Sequence, residues 1–345
     1  MTVPDRSAPT TRTEGNALMS EAVDSSSLIA VIGAGRMGLG IAESFVMAGL
    51  DVVFAEVTPE RAQSSPARLA DRMRGHAAAG LIDDAALGRA AHVRAADDIP
   101  EAVAGADLII ECVTEDIGVK EAVLRACDGA ARPDAILASN TSSLNIATLS
   151  GFVGRPERFL GMHWFNPPEW TPGVEVVLGP HTDRAVIDRV VDLLRGIGKQ
   201  PSVVAGGVGF IANRLQMAMF CEAARCVEEG LASPRDIDEV VRSCFGFRLP
   251  FFGPFQIADM AGLDVYEAVV EQHEQGLGDR FRVPDTLRRL VREGRCGTAA
   301  GGGFYDYEPG ASERLLVERD TLYAALSGLL ERRPPPSFDG GEPGP

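Results

Sequence analysis

Lysine is nearly missing from this chain of 345 residues: Lys120 and Lys199 stand alone, and every other strong cation is arginine. Positive charge is scarce in total, with 33 Lys and Arg against 49 Asp and Glu and a formal net charge of −16. So acidic a molecule repels phosphate backbones and anionic bilayers, which excludes nucleic acid and membrane surfaces as main partners. No C-x-x-C pair occurs among Cys112, Cys127, Cys221, Cys226, Cys244 and Cys296, and most of them lie in apolar periodic stretches. That pattern predicts buried free thiols in a reducing compartment, with no zinc site and no disulfide scaffold. Also missing are an apolar run of about eighteen residues and an apolar stretch near the N-terminus, which argues against a spanning helix and a signal peptide. A cytoplasmic protein is expected.

What is present is ordinary globular composition, 45% apolar and 24% charged, enough to build a substantial core. At about 150 residues per domain the length predicts two domains. Residues 1–26 are rich in Ser, Thr, Pro, Glu and Asp without a hydrophobic period and read as a disordered leader, and residues 333–345 read as a disordered Pro/Gly tail. Between them, short apolar β-rich runs at 28–32, 51–55, 107–111, 135–138, 159–163, 174–178 and 201–205 alternate at first with longer helical stretches, one of them over 60–79. Near-continuous apolar strands separated by helices predict an α/β fold, a Rossmann-like doubly wound sheet over 27–206. From Phe210 to about 229, Leu215, Ala218, Met219, Ala223, Cys226 and Val227 recur at helical spacing, so an all-helical C-terminal domain is expected over 207–332.

The first strand runs directly into Gly33-Ala34-Gly35-Arg36-Met37-Gly38 and then a helix. Gly33 suits the tight turn, Gly35 the close approach of backbone to a pyrophosphate, and Gly38 the packing of helix on strand. Arg36 and Met37 complete the loop, and the helix N-terminus behind it attracts anions. Glu56 ends the next strand, where a carboxylate accepts from both ribose hydroxyls and repels a 2′-phosphate. NAD is therefore the expected cofactor, although Arg61, after Thr58-Pro59-Glu60, stands where it could meet a 2′-phosphate.

A dinucleotide enzyme that oxidises an alcohol needs a proton carrier, and histidine suits that role near neutral pH. His76, His92, His181 and His273 sit in polar or helical surroundings that read as surface. His163 instead ends a predicted strand and precedes Trp164-Phe165-Asn166-Pro167-Pro168, at the sheet edge where ligands lie. Glu175 is a lone carboxylate inside Val174-Glu175-Val176-Val177, a strand that should be buried, so it needs a partner. A turn between the strands predicts a His163–Glu175 dyad in which the carboxylate fixes the imidazole tautomer. Two polar clusters, Ser139-Asn140-Thr141-Ser142-Ser143 and Gly209-Phe210-Ile211-Ala212-Asn213-Arg214, offer neutral donors for a substrate oxygen. Helix capping and satisfaction of buried backbone account for them equally well.

In order along the chain, G-A-G-R-M-G, V-T-E-D-I-G-V-K, S-N-T-S-S-L, G-M-H-W-F-N-P, V-E-V-V, G-F-I-A-N-R, G-P-F-Q-I-A-D-M-A-G-L-D and G-G-G-F-Y-D-Y resemble the 3-hydroxyacyl-CoA dehydrogenase family over about 28–310. The resemblance implies NAD-linked, reversible oxidation of a 3-hydroxyacyl thioester, of the 3-hydroxybutyryl-CoA type, within fatty acid metabolism. It assigns His163 as acid/base, Glu175 as its orienting partner, Ser142 and Asn213 as contacts to the substrate oxygen, and Glu115 with Lys120 as residues beside the nicotinamide. Asn140 and Asn166 fall within the same motifs, as cofactor and substrate contacts respectively. A helical domain that closes over the substrate and forms a homodimer is implied as well. The segment Trp164 to Gly173, with its N-P-P, departs from the usual F-F-N-P-V. It is similar to lambda-crystallin-like gulonate dehydrogenases, carnitine dehydrogenases and a pyridine-carboxylate dehydrogenase, which points to a free hydroxy acid or a carrier-bound intermediate as alternative substrate. The helix expected to meet CoA carries Arg68, Arg72 and Arg74, read as solvated. A non-catalytic dinucleotide-binding protein is the remaining alternative, without need of this residue set.

Overall fold

The computed structural model describes residues 27–336, so the leader expected over 1–26 and residues 337–345 of the expected tail lie outside the described residues. The chain divides into two compact units, Met1–Met219 and Phe220–Pro345.

The first unit is built on an eight-stranded sheet: β1 (Leu28–Ile32), β2 (Asp51–Ala55), β3 (Arg94–Ala95), β4 (Leu108–Glu111), β5 (Ile136–Ser139), β6 (Phe159–Trp164), β7 (Gly173–Leu178) and β8 (Gln200–Ala205), in the order β3-β2-β1-β4-β5-β6-β7-β8. All neighbours are parallel except β6 and β7. The chain winds outward from β1 to β3, then crosses to β4 on the other side of β1. The carboxyl ends of β1 and β4 thus flank a topological switch point, where such sheets bind ligands. Successive side chains of a strand face opposite ways, so each strand feeds two cores. Ile29 and Val31 enter one with Phe45, Leu69, Met73, Trp164 and Val176. Ala30 and Ile32 enter the other with Ile109, Leu124, Leu137, Ile146 and Phe159.

Helix α1 (Arg36–Met47) follows the glycine loop, and α2 (Pro59–Ala78) begins at Thr58, whose Oγ1 accepts the Arg61 N–H with Pro59 in the first turn. Strand β3 escapes the periodicity analysis because two residues, Arg94 and Ala95, carry no pattern. The helix expected from Phe210 starts instead at Ala212, because Gly209 and Phe210 both hold positive φ, 72° and 48°, which no α-helix accommodates. Its length and that of the sheet strands otherwise follow the apolar period.

The second unit is helical, with Pro234–Ser243, Pro254–Ala261, Leu263–Leu277, Asp285–Arg292 and Ala311–Arg332 as its helices wholly within 220–345. Ala258, Leu263, Val283, Leu287 and Leu290 form its core. Beside them Asp259 is buried and accepts the N–H groups of Phe304 and Tyr305 and the Tyr307 hydroxyl at 3.0, 3.1 and 2.8 Å. A Cβ on Gly303 would stand 2.2 Å from Asp259 Oδ1, so it is Gly303 that lets the backbone close on that carboxylate. Burial and the Asp259 hydrogen bond hold the Tyr307 phenol well above its ordinary range.

All six cysteines are unpaired, but only Cys127 is buried; Cys221 and Cys244 are exposed. This corrects the expectation of uniformly buried thiols: helical spacing set Cys221 among Met217, Met219 and Phe220, and those apolar side chains are themselves exposed in the single chain. Among the described residues no helix is long and apolar enough to cross a membrane.

Gly161, in the middle of β6, has no room for a side chain, since a Cβ there would lie 2.7 Å from Ile146 Cδ1 and 2.9 Å from Val177 Cβ. Gly161→Ala is expected to lower unfolding free energy by about 1–3 kcal/mol; an unchanged urea midpoint would show that Ile146 yields freely.

Candidate active site

The carboxyl edge of the sheet gathers the residues singled out in the sequence. At β1, Gly33 turns with φ 99°, its N–H on Ala55 O at 2.8 Å, and a Cβ there would touch the backbone of Cys112 at 2.9 Å. A Cβ on Gly38 would stand 1.9 Å from Gly33 O, whereas around Gly35 nothing lies within 4 Å. Gly35 is also the N-cap of α1 and offers no side-chain acceptor, so the first-turn N–H groups and the clear ground over Gly35 fit a pyrophosphate. Glu56 Oε1 accepts the Ala34 N–H at 2.9 Å, which sets the carboxylate beside the loop. Arg61 reaches only to 3.7 Å from that carboxylate and is largely exposed. Arg36 is exposed, and Met37 packs against the core. The carboxylate beside the cradle suits the ribose diol of NAD.

One strand over, Glu111 at the end of β4 is fully buried and accepts from Lys120 Nζ at 2.7 Å, Ser139 Oγ at 2.5 Å and the Val113 N–H at 2.8 Å. Lys120 is equally enclosed and also lies 3.3 Å from Glu115. Its ammonium is therefore engaged with two carboxylates. Glu115 in turn accepts the Thr141 hydroxyl at 2.5 Å, the Ser142 and Ser143 N–H groups at 2.9 Å and the Ser143 hydroxyl at 2.9 Å. Partial burial pulls its carboxyl upward, but the Thr141 hydroxyl, the Lys120 charge and the Ser143 donors prevail and hold it at about 2. Thr141 stands in the polar cluster read from the sequence as a source of donors, but its hydroxyl goes to Glu115; Glu111 was not singled out, although an acid ending an apolar strand is a usable signal. Burial, reinforced by Glu111, pushes the Cys112 thiol up despite Lys120, so it stays protonated.

His163 and Glu175 face each other across the antiparallel pair β6 and β7. Both are buried, and His163 Nδ1 lies 2.8 Å from Glu175 Oε2. The second carboxylate oxygen accepts the N–H groups of Ile211 and Ala212 at 3.0 and 2.9 Å, where helix Ala212–Glu228 begins. The rings of Phe165 and Phe210 flank the imidazole with centroids 4.5 and 5.4 Å away. With Nδ1 committed to Glu175, Nε2 is the nitrogen that could meet a ligand. Asn213 Nδ2 donates to the Ser142 carbonyl at 3.3 Å, so the two polar clusters meet. Asn140 Oδ1 accepts the Trp164 N–H at 3.0 Å and joins the ends of β5 and β6. Asn166 is exposed and precedes a cis peptide bond to Pro167.

Two sequence expectations need correction. His76 is not a plain surface histidine, because its Nδ1 lies 2.6 Å from the buried Glu43 of α1. Arg72 is not solvated either: it pairs with Glu43 at 2.8 Å and with Glu169. Both follow from the packing of α2 on α1, which no single-helix period reveals. Glu43, His76 and Glu169 bring ligand atoms within 4.8 Å of one another, and the cation between the two carboxylates is Arg72. His92, His181 and His273 are exposed as expected.

Comparisons with known proteins bear on the family and the fold. The NAD binding domain model of 3-hydroxyacyl-CoA dehydrogenase matches residues 28–207, and the C-terminal domain model of that family matches 209–307. The 5-formyl-3-hydroxy-2-methylpyridine 4-carboxylate 5-dehydrogenase of Mesorhizobium japonicum is 37% identical over 307 residues, which is 88% of this chain and 98% of that protein. A probable 3-hydroxybutyryl-CoA dehydrogenase of Bacillus subtilis is 36% identical over 281 residues, 81% of this chain and 97% of that one. The solved 3-hydroxyacyl-CoA dehydrogenase of Archaeoglobus fulgidus aligns with a TM-score of 0.72 at 31% identity, covering 87% of this chain and 99% of its own.

Glu115 makes stability depend on acid. Its carboxyl sits at about 2 in the folded protein against an ordinary 4.5, so its contribution is complete above 4.5 and is lost as pH falls toward 2. Thermal melts of Glu115→Gln should decline less than wild type across that window; parallel curves would contradict the assigned hydrogen bonds.

Proposed function

The chain belongs to the 3-hydroxyacyl-CoA dehydrogenase family, and from that premise we propose that it reversibly oxidises the secondary alcohol of a 3-hydroxyacyl-CoA, of the 3-hydroxybutyryl type, to the ketone. It is an NAD-dependent oxidoreductase acting on CH–OH groups. The buried His163–Glu175 pair at 2.8 Å carries the mechanistic reading. His163 Nε2 takes the hydroxyl proton, and Glu175 stabilises the imidazolium that results. Ser142 and Asn213, joined through the Ser142 carbonyl, hold the substrate oxygen, and Asn166 contacts the substrate from the loop after β6. NAD, when bound, supplies the two-electron acceptor. Gly33, Gly35, Arg36, Met37 and Gly38 hold its pyrophosphate, and Glu56 its ribose. Glu115, braced by Lys120, and Asn140 shape the rim where the reacting ring lies.

The same reading places the cofactor domain over 27–206 and the helical domain over 207–332. It makes the protein a cytoplasmic homodimer. The exposed apolar residues Leu215, Met217, Met219 and Phe220 support a partner surface, and the unpaired cysteines suit a reducing compartment.

A second substrate class is favoured by α2. Arg72 is committed to Glu43 and Glu169, and Arg74 pairs with Asp71. Of the three arginines expected to meet a CoA nucleotide, only Arg68 is left out of these pairs. That thinning of positive charge, and the similarity to a pyridine-carboxylate dehydrogenase, favour a free hydroxy acid as the rival.

NADH consumption with acetoacetyl-CoA set against free 3-keto acids separates the two. Turnover of the thioester alone is expected, and activity confined to free acids would sink the CoA reading. His163→Ala should reduce turnover by about 10²–10⁴-fold with NADH affinity retained; a wild-type rate would remove His163 from the mechanism.

A further inference from the structure

We infer that Lys199 and Arg72 are positioning residues: together they clamp the loop 165–172 between β6 and β7 and so hold His163 and Glu175 in register for proton transfer. The inference rests on the reading of His163 as the proton carrier.

The loop leaves β6 one residue after His163 and enters β7 two residues before Glu175. Any shift of its path therefore acts on both members of the dyad, and on Phe165, whose ring lies 4.5 Å from that of His163. No acid or base for the reaction lies within the loop, yet two of the chain's cations are given to it. Lys199, buried just before β8, donates from Nζ to the carbonyls of Pro168 at 2.5 Å and Thr171 at 3.0 Å, with the Glu169 carbonyl at 3.5 Å. Its ammonium also lies 5.4 Å from the centre of the Trp164 ring, the residue next to His163. Backbone carbonyls turned inward need donors, and one ammonium supplies three of them from a single point.

The opposite side of the loop is held through a side chain. Glu169 is buried and pairs with Arg72 of α2, which also pairs with Glu43 of α1. Ser44 of α1 donates to the Pro168 carbonyl at 3.3 Å. The loop lies so close to α1 that a Cβ on Gly40 would meet Glu169 Oε2 at 2.5 Å and Pro168 Cγ at 2.8 Å. The clamp is thus two-sided, with a compact ammonium on the backbone and a forked guanidinium on the carboxylate. The glycine cradle for the cofactor lies at residues 33–38, before and at the N-terminus of α1, whereas the clamp meets α1 further along, at Gly40, Glu43 and Ser44.

That separation makes the proposal testable on the full-length protein. In Lys199→Met, NADH affinity by fluorescence titration and KM for the best ketone are expected to stay near wild type, while kcat falls about tenfold or more. If Lys199→Met does not fold, Glu169→Gln decides: it keeps the volume, weakens the Arg72 side, and is expected to lower kcat with NADH affinity unchanged. A folded variant with wild-type kcat overturns the proposal. So does a parallel loss of NADH affinity and kcat, which marks a general loosening of the domain. His163→Ala measured alongside keeps the two readings apart: if it is inactive and Lys199→Met is fully active, only the clamp fails; if it is fully active, the proton-carrier reading fails.

Discussion

The carboxylate of Glu175 divides its oxygens between two partners: Oε2 meets His163 Nδ1, and Oε1 receives the N–H groups of Ile211 and Ala212. A buried carboxylate is costly unless its lone pairs are filled, and here both obligations are met by groups the chemistry needs. One partner is the imidazole, whose tautomer the contact sets. The other is the N-terminus of the helix that carries Asn213, where a negative charge is favoured by the unsatisfied N–H groups and the helix dipole. In the proposed reading, orientation of the base and placement of the oxygen-binding amide therefore depend on one side chain.

A second carboxylate organises the neighbouring strands in the same manner. Glu115 gathers Thr141, Ser142 and Ser143, and Lys120 braces it from beneath while also neutralising Glu111. The local charge of this rim is two acids against one lysine. Lys120 thus contributes shape more than free positive potential, and the positive features beside the glycine loop are the open N-terminus of α1 and the exposed Arg36.

Much of this was legible in the sequence because it follows from short-range pattern. Apolar runs at strand length predicted seven of the eight strands, the eighth being the two-residue β3. The glycine loop revealed its turn, and Glu175 revealed itself as a charge inside an apolar strand. Glu43 gave a similar signal, an acid among Leu39, Ile41, Ala42, Phe45 and Val46, but its partners Arg72 and His76 come from the next helix, at a distance no period encodes. Burial of Lys120 was equally hidden, since it depends on Glu111 at the end of β4 and on Val113 and Glu115 in the segment after it turning toward the helix. Substrate class stays outside the pattern for a chemical reason: in the proposed reading one proton carrier serves acid and thioester alike, because the two differ in groups remote from the reacting carbon.

Gly40 carries a consequence for how this protein can change. It is not a turn glycine; it lies within α1 and is small because Glu169 and Pro168 rest on it. Positions 40 and 169 form one packing unit, so their substitutions are not additive. A side chain at 40 meets Pro168 as well as Glu169, so it becomes tolerable only after the loop has changed or moved at both positions, and shortening 169 first releases Arg72. Mutational paths through this region therefore have a preferred order, with the loop residue changing before the helix residue.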